Sequence, residues 1–260
     1  MRHRIAGILA VALAAVIRAQ TPAAHSEFEV ASIKRNVSGD LSRAMRPGIG
    51  RLSISNMTPR DLLMVAYQVR DFQISGGPSW IDSENYDIEA KTDSNTPARQ
   101  MAEPMLQALL EDRFKLKVHR ETKELPVYVL TVAKNGLKIQ PAKEGSCITP
   151  EPGKPPAPGQ RQSAFCGFHV TGRGRYDATH TSVPALATDL SSVLRRTVVD
   201  NTALAEAFDV HLRFAAEDSA DSTSPSIFTA VQEQLGLKLE SGKGPVEVLV
   251  IDQVERPSEN

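Results

Sequence analysis

Gly50-Arg51-Leu52-Ser53-Ile54-Ser55 opens a stretch that runs to Val132, and Gly174-Arg175-Tyr176-Asp177-Ala178-Thr179 opens a second stretch, to Val250, that echoes it. Leu62, Ala66 and Val69 fall where Leu186, Leu190 and Val193 fall, and Tyr86-Asp87-Ile88 matches Phe208-Asp209-Val210. Leu106-Gln107-Ala108-Leu109 matches Phe228-Thr229-Ala230-Val231, and Leu116-Lys117-Val118 matches Leu237-Lys238-Leu239. Pro126-Val127-Tyr128-Val129-Leu130 is set against Pro245-Val246-Glu247-Val248-Leu249. The period is too long for a solenoid, so two copies imply two subdomains. The competing reading is two unrelated α/β stretches that share ordinary strand and helix grammar.

Within each copy, hydrophobic period assigns the elements. Leu52 and Ile54 alternate with Arg51, Ser53 and Ser55, as a half-buried strand requires. Thr58 then suits a helix N-cap, Pro59 the first helical position and Asp61 the positive end of the helix dipole. Tyr86, Ile88 and Ala90 form another alternating strand, and a helix is predicted from about Pro97 to Asp112, kinked or restarted at Pro104. Two short strands follow, through Phe114, Leu116 and Val118 and through Val127 to Val132. In the second copy Thr181-Ser182-Val183-Pro184 opens the first helix, Phe208, Val210, Leu212 and Phe214 alternate along a strand, and Ser224 caps the second helix. The expected fold is therefore α+β: two related subdomains, each strand-helix-strand followed by helix and hairpin, with helices on one face of a small sheet.

Met1-Arg2-His3-Arg4 precedes an apolar run from Ile5 to Ile17 that is short for a bilayer span, so 1–24 reads as a signal peptide. An uncleaved anchor is the alternative. The expected organisation continues with a first subdomain over 25–140, a proline-rich linker over 141–170 and a second subdomain over 171–260. Without the leader, 27 basic side chains face 31 acidic ones. That balance, and the lack of a basic stripe, argue against nucleic acid as a partner. No later segment is long and apolar enough to span a membrane.

Cys147 and Cys166 flank Pro150, Pro152, Pro155, Pro156 and Pro158. In an exported chain such a pair reads as a disulfide. The sharper reading, a reactive thiol at Cys166 served by His169, needs a base near the sulfur in space. His25, His119, His169, His180 and His211 are scattered, so no metal ligand set is expected, and no Gly-rich phosphate loop or nucleophile elbow points to a cofactor or catalytic residue. Gly172-Arg173-Gly174-Arg175 reads as a turn, and Ser191 and Ser192 lie in a helix. The carboxylates Asp82 with Glu84, and Glu111 with Asp112, read as ordinary surface pairs. Trp80, the only tryptophan, is either a binding contact or a lid over the first core.

Three segments, Phe28-Glu29-Val30-Ala31-Ser32-Ile33-Lys34, Gly77-Pro78-Ser79-Trp80-Ile81 and Leu109 to Glu121, resemble an uncharacterised soil-associated family of exported bacterial proteins. Gln234 to Leu239 and Val248 to Asp252 fit the same family, a domain of unknown function, from which no catalytic residues carry over. The strand-helix-strand, helix and hairpin unit is also loosely similar to the short N-terminal domain of secretins and TonB-dependent receptors, in topology only. The function expected is an exported, non-catalytic binding or assembly module of the cell envelope, with an envelope protein as partner. The alternatives are a hydrolytic enzyme with a site between the halves, which His169, His180 or Asp177 beside a nucleophile would favour, and a small-ligand carrier.

Overall fold

The computed structural model describes residues 27–150, 157, 160–172, 174–216 and 223–258. The segment 1–24, read from sequence as a signal peptide, lies outside the described residues. Among the described residues the fold is α+β with three sheets. The first, in the order β1-β5-β3-β2, combines β1 (Val30–Asn36), β2 (Ala44–Gly48), β3 (Arg51–Met57) and β5 (Asn85–Lys91). The second, β10-β8-β7, combines β7 (His169–Gly172), β8 (Arg175–Ser182) and β10 (Ala207–Arg213). The third joins the two halves in the order β4-β11-β6-β9, with β4 (Ile74–Gly76), β6 (Lys117–Val132), β9 (Val198–Asp200) and β11 (Leu237–Gln253).

The duplication is visible in the pairing. Arg51 opposes Lys91 as Arg175 opposes Arg213, Ile54 opposes Ile88 as Ala178 opposes Val210, and Met57 opposes Tyr86 as Thr181 opposes Phe208. Both pairs carry the same bulge, at which Asn56 (φ 56°) and His180 (φ 51°) adopt a left-handed backbone. At each bulge the backbone N–H donates to the same aspartate of the partner strand, Asn56 to Asp87 at 2.9 Å and His180 to Asp209 at 2.8 Å. A side-chain acceptor here satisfies a donor that the bulge removes from the ladder.

The helices follow the capping chemistry. α1 (Pro59–Tyr67) begins at Thr58, whose hydroxyl accepts from the Asp61 N–H while the Asp61 carboxylate accepts from the Thr58 N–H. α4 (Val183–Leu194) begins at Ser182, whose hydroxyl caps it likewise, and buries Leu186 and Leu190 where α1 buries Leu62 and Ala66. Ahead of Pro104, α2 (Ala98–Gln100) widens into a π turn (Met101–Met105) before α3 (Leu106–Arg113). Proline lacks the N–H and clashes with the carbonyl four residues back, so the helix widens at Pro104 and continues. The last helix, α5 (Ile227–Ala230), is capped by Ser226, not by the expected Ser224. The Ser226 hydroxyl accepts from the Thr229 N–H at 3.2 Å, which fixes the helix start two residues later.

The closing hairpin expected in each half is not formed. β6 is one unbroken strand whose antiparallel partner is β11 of the other half, from Leu237 opposite Val132 to Ile251 opposite Val118. Glu121-Thr122-Lys123-Glu124 offers no residue suited to a tight turn, so nothing in it reverses the chain. Ser241-Gly242-Lys243-Gly244 reads as a turn but stays extended, with the Val129 side chain so close across the ladder that a Cβ at Gly242 would lie 3.2 Å from it. β4 then adds in parallel to β11, Ile74 opposite Leu249, and β9 adds in parallel to β6, Val198 opposite Tyr128. Tyr128 and Leu249 are therefore the equivalent positions. The match of Pro126 to Pro245, which puts Tyr128 against Glu247, is two residues out of step with this register.

The consequence for packing is an exchange. The first core contains Leu249 and Ile251 of β11, and the second contains Leu130 of β6, all buried. Full burial of one such side chain contributes roughly 1.5–3 kcal/mol. The opposite face of the β6/β11 ribbon carries a third cluster, in which Val127, Val246 and Val248 are buried against Leu125, Val129 and Val250.

Candidate functional site

Where the halves meet, a cleft of about 410 Å³ is lined by Met64, Gln68, Val69, Arg70, Phe72 and Gln73 on one side and Thr188, Ser191, Thr197 and Val198 on the other. The duplication builds it from corresponding parts, the end of α1 with the loop to β4 and the outer turns of α4 with the loop to β9. Several of its polar groups hold the fold. The Ser191 hydroxyl donates to the Ala187 carbonyl at 2.7 Å and accepts from the Val198 N–H at 2.8 Å, so it is a bracket between α4 and β9. Gln73 accepts from the Arg70 N–H and donates to the Glu247 carbonyl, both at 3.0 Å. Thr188 donates to the Pro184 carbonyl at 3.0 Å. Asp71, paired with Arg195 at 3.2 Å, ties the two rims together.

A second cavity, of about 500 Å³, lies in the second half over the start of α4 and is bordered by Gly167, His169, His180, Thr181, Ser182 and Asp189. His169 and His180 therefore come together. Asp177 does not join them: it faces His211 at 2.9 Å, Arg213 at 2.9 Å and Arg175 at 3.0 Å on the surface of the second sheet. Partial burial opposes ionisation of Asp177, but the donors on Arg213 and His211, with the charge of Arg175, outweigh it and hold its carboxyl below the usual value. Behind the cavity wall, the buried Tyr176 donates to Asp189 at 2.8 Å. Burial first, and then this bond to Asp189, push the Tyr176 hydroxyl well above its ordinary range, so it remains a donor. The Ser182 hydroxyl accepts from the Ala185 N–H at 3.3 Å as the helix cap.

The remaining residues singled out from sequence are dispersed. Cys147 and Cys166 are bonded to each other, and the imidazole beside their sulfurs belongs to His180, with ligand-type atoms of the three residues all within 4.8 Å. Sequence adjacency points instead to His169. The antiparallel pairing of the neighbouring strands β7 and β8 (His169 opposite Ala178), on either side of the segment read as a turn, and the bulge in β8 fix where both histidines lie; the bulge is the part that the sequence does not signal. His119 pairs with Asp252 at 2.8 Å on the exposed ribbon, while His25 lies outside the described residues. The carboxylate pairs separate: Asp82 meets Arg60, Glu84 meets Arg256 at 2.8 Å, Glu111 lies 3.5 Å from the Tyr67 hydroxyl, and Asp112 faces Lys115 at 3.7 Å. Trp80 sits half-buried on the first core in a 3₁₀ turn (Ser79–Asp82), with the Arg256 guanidinium 5.0 Å from its ring centre.

This architecture, from the start of α1 to the end of β11, is the unit that a family model recognises: the match runs over residues 60–254 and carries the description protein of unknown function, DUF3738. The chain belongs to the DUF3738 family. In this DUF3738 protein the matched span takes in the first half from α1 onward, the second half, the cleft between them and the disulfide, while β1, β2 and β3 precede it. No curated protein and no solved structure matches the chain.

Proposed function

We propose that the protein is an exported, non-catalytic binding or assembly module of the bacterial cell envelope, and that its partner engages the cleft between the halves. The cleft itself carries this reading. It is formed by two repeats locked together through a shared sheet, its hydroxyl and amide groups hold the fold, and the exposed surface of α4 at Thr188 faces it. Interdomain clefts of this kind are common places for a ligand. The disulfide supports export, since such bonds persist in oxidising compartments. Among the described residues no helix is long and apolar enough to cross a membrane.

The test is a photoreactive amino acid placed at Thr188 in the full-length protein in its own cells. The expected result is one cross-linked envelope protein, lost when Gln68→Trp fills the cleft. Cross-linking to no protein, together with turnover of a defined substrate by the purified chain, overturns the reading in favour of the hydrolytic alternative. The cleft volume of about 410 Å³ also fits a small molecule. A small-ligand carrier is distinguished by thermal stabilisation with a metabolite extract, abolished by the same substitution.

A further inference from the structure

We propose that Cys147, Cys166 and His180 form a redox-gated site for a thiophilic divalent cation of the zinc class. It is closed while the disulfide stands and becomes a two-thiolate, one-imidazole ligand set once the bond is opened. The two sulfurs and an imidazole nitrogen of His180 already lie within 4.8 Å of one another. In a tetrahedral zinc site, metal–sulfur bonds of about 2.3 Å and metal–nitrogen bonds of about 2.0 Å set ligand atoms roughly 3.5–4 Å apart. Side-chain rotation of the two cysteines, whose Cα atoms are 5.0 Å apart, accommodates that spacing.

The comparison between the two halves shows what is unusual here. At the equivalent bulge of the first half, the Asn56 side chain is buried and its amide donates to the Asp40 carbonyl. At the second bulge, the Nδ1 atom of His180 is buried with no hydrogen-bond partner among the described residues. A buried polar atom left unpaired is costly, and a metal ion is one partner that removes the cost. The cavity bordered by Gly167, His169 and His180 lies alongside, with room for a water molecule as fourth ligand. Three protein ligands and one open position is an arrangement that zinc accepts.

A two-electron reductant, a dithiol in the envelope, is oxidised to its own disulfide while the Cys147–Cys166 bond breaks and each sulfur takes up a proton. The cation then displaces both thiol protons to solvent and accepts a lone pair from the neutral imidazole. Oxidation of the thiolates by a disulfide of the same class, which takes up the two electrons, re-forms the bond and expels the ion.

The test uses the full chain, purified oxidised, then reduced with a phosphine and desalted without air. Co²⁺ serves as the optical probe and Zn²⁺ as its competitor. The reduced chain is expected to take up one Co²⁺ with a thiolate-to-cobalt charge-transfer band that the oxidised chain lacks, and Zn²⁺ should bleach it. His180→Asn installs the residue that occupies the equivalent left-handed position in the first half, so it preserves the backbone. It is expected to weaken binding by more than the roughly 10–100-fold typical of losing a residue that only positions a ligand. A reduced chain without the band, an H180N variant that binds as tightly as the parent, or reduction that unfolds the protein without rescue by Zn²⁺ each overturn the proposal. None of these readouts involves the cleft, so failure here leaves the binding reading untouched.

Discussion

Gly50 and Gly174 carry the same constraint in the two halves. Each has positive φ, and a Cβ would lie 2.7 Å from the Thr92 carbonyl oxygen at Gly50 and 2.4 Å from that of Phe214 at Gly174. The contact comes from a hydrogen bond that recurs in both copies, Thr92 N–H to the Gly50 carbonyl and Phe214 N–H to the Gly174 carbonyl. Gly136 has a similar φ of 80°, but a Cβ there would meet nothing within 4 Å. Gly136→Ala is therefore expected to cost about 1 kcal/mol, the left-handed penalty alone, and Gly174→Ala at least about 2 kcal/mol, as read from urea unfolding. Arg256 supplies a second residue-scale test, because it joins Glu84 and the face of Trp80. Its hydrogen bonds hold the Glu84 carboxyl below the ordinary value of 4.5, against the opposing effect of burial. A carboxyl whose pKa is lower in the fold contributes stability that is complete above its unfolded value and disappears as pH falls through the folded one. Arg256→Ala should therefore lower the melting temperature near neutrality, and its difference from the parent should shrink as the solution is acidified below that ordinary value. A difference that stays constant in acid would assign the effect to the Trp80 contact instead.

At the scale of elements, capping and alternation are legible in the sequence because they are local. Thr58, Pro59 and Asp61 define the start of α1, and the Tyr86/Ile88/Ala90 alternation defines β5. The closing strands are not, because the partner of β6 lies more than a hundred residues away. Polar Glu121 to Glu124 looks like a loop only if both ends of β6 are assumed to serve one core, whereas Val118 packs on the first and Leu130 on the second. This difference is testable. If the segment turned, replacing Thr122-Lys123 with Asn-Gly would favour it; in a continuous strand the same change is expected to destabilise by about 1 kcal/mol, measured by denaturant unfolding. The second half also shows how an edge strand can be dispensed with. Where β1 covers the outer edge of β5, the Gln234 side chain accepts from the Arg213 N–H and donates to its carbonyl at 3.0 and 2.7 Å on the outer edge of β10. Capping the exposed ladder groups in this way also blunts the edge against adding a foreign strand.

Over the whole molecule, the two repeats are legible as sequence, and the exchange between them is not. Repeated apolar pattern reports which residues are inside but not whose core they enter. The candidate cleft is legible only as a junction between halves; its lining residues, from Met64 to Val198, follow from the shared sheet. Because each core lacks a strand without the other half, neither half is expected to fold alone. A chain ending at Ala142 and one beginning at Phe165, expressed separately, should show no cooperative melting, while their co-expression should yield a complex with a single transition. Independent melting of either piece would contradict the exchange.

The strand exchange about a pseudo-two-fold is the arrangement of a closed, isologous dimer. Here both members are parts of one polypeptide, so their association is intramolecular and governed by the effective concentration that the connecting segment sets. The cores are expected to stay assembled at any dilution, with a melting temperature independent of protein concentration. Freed from the requirement that both members be identical, the chain carries an asparagine at one bulge and a histidine beside a disulfide at the other.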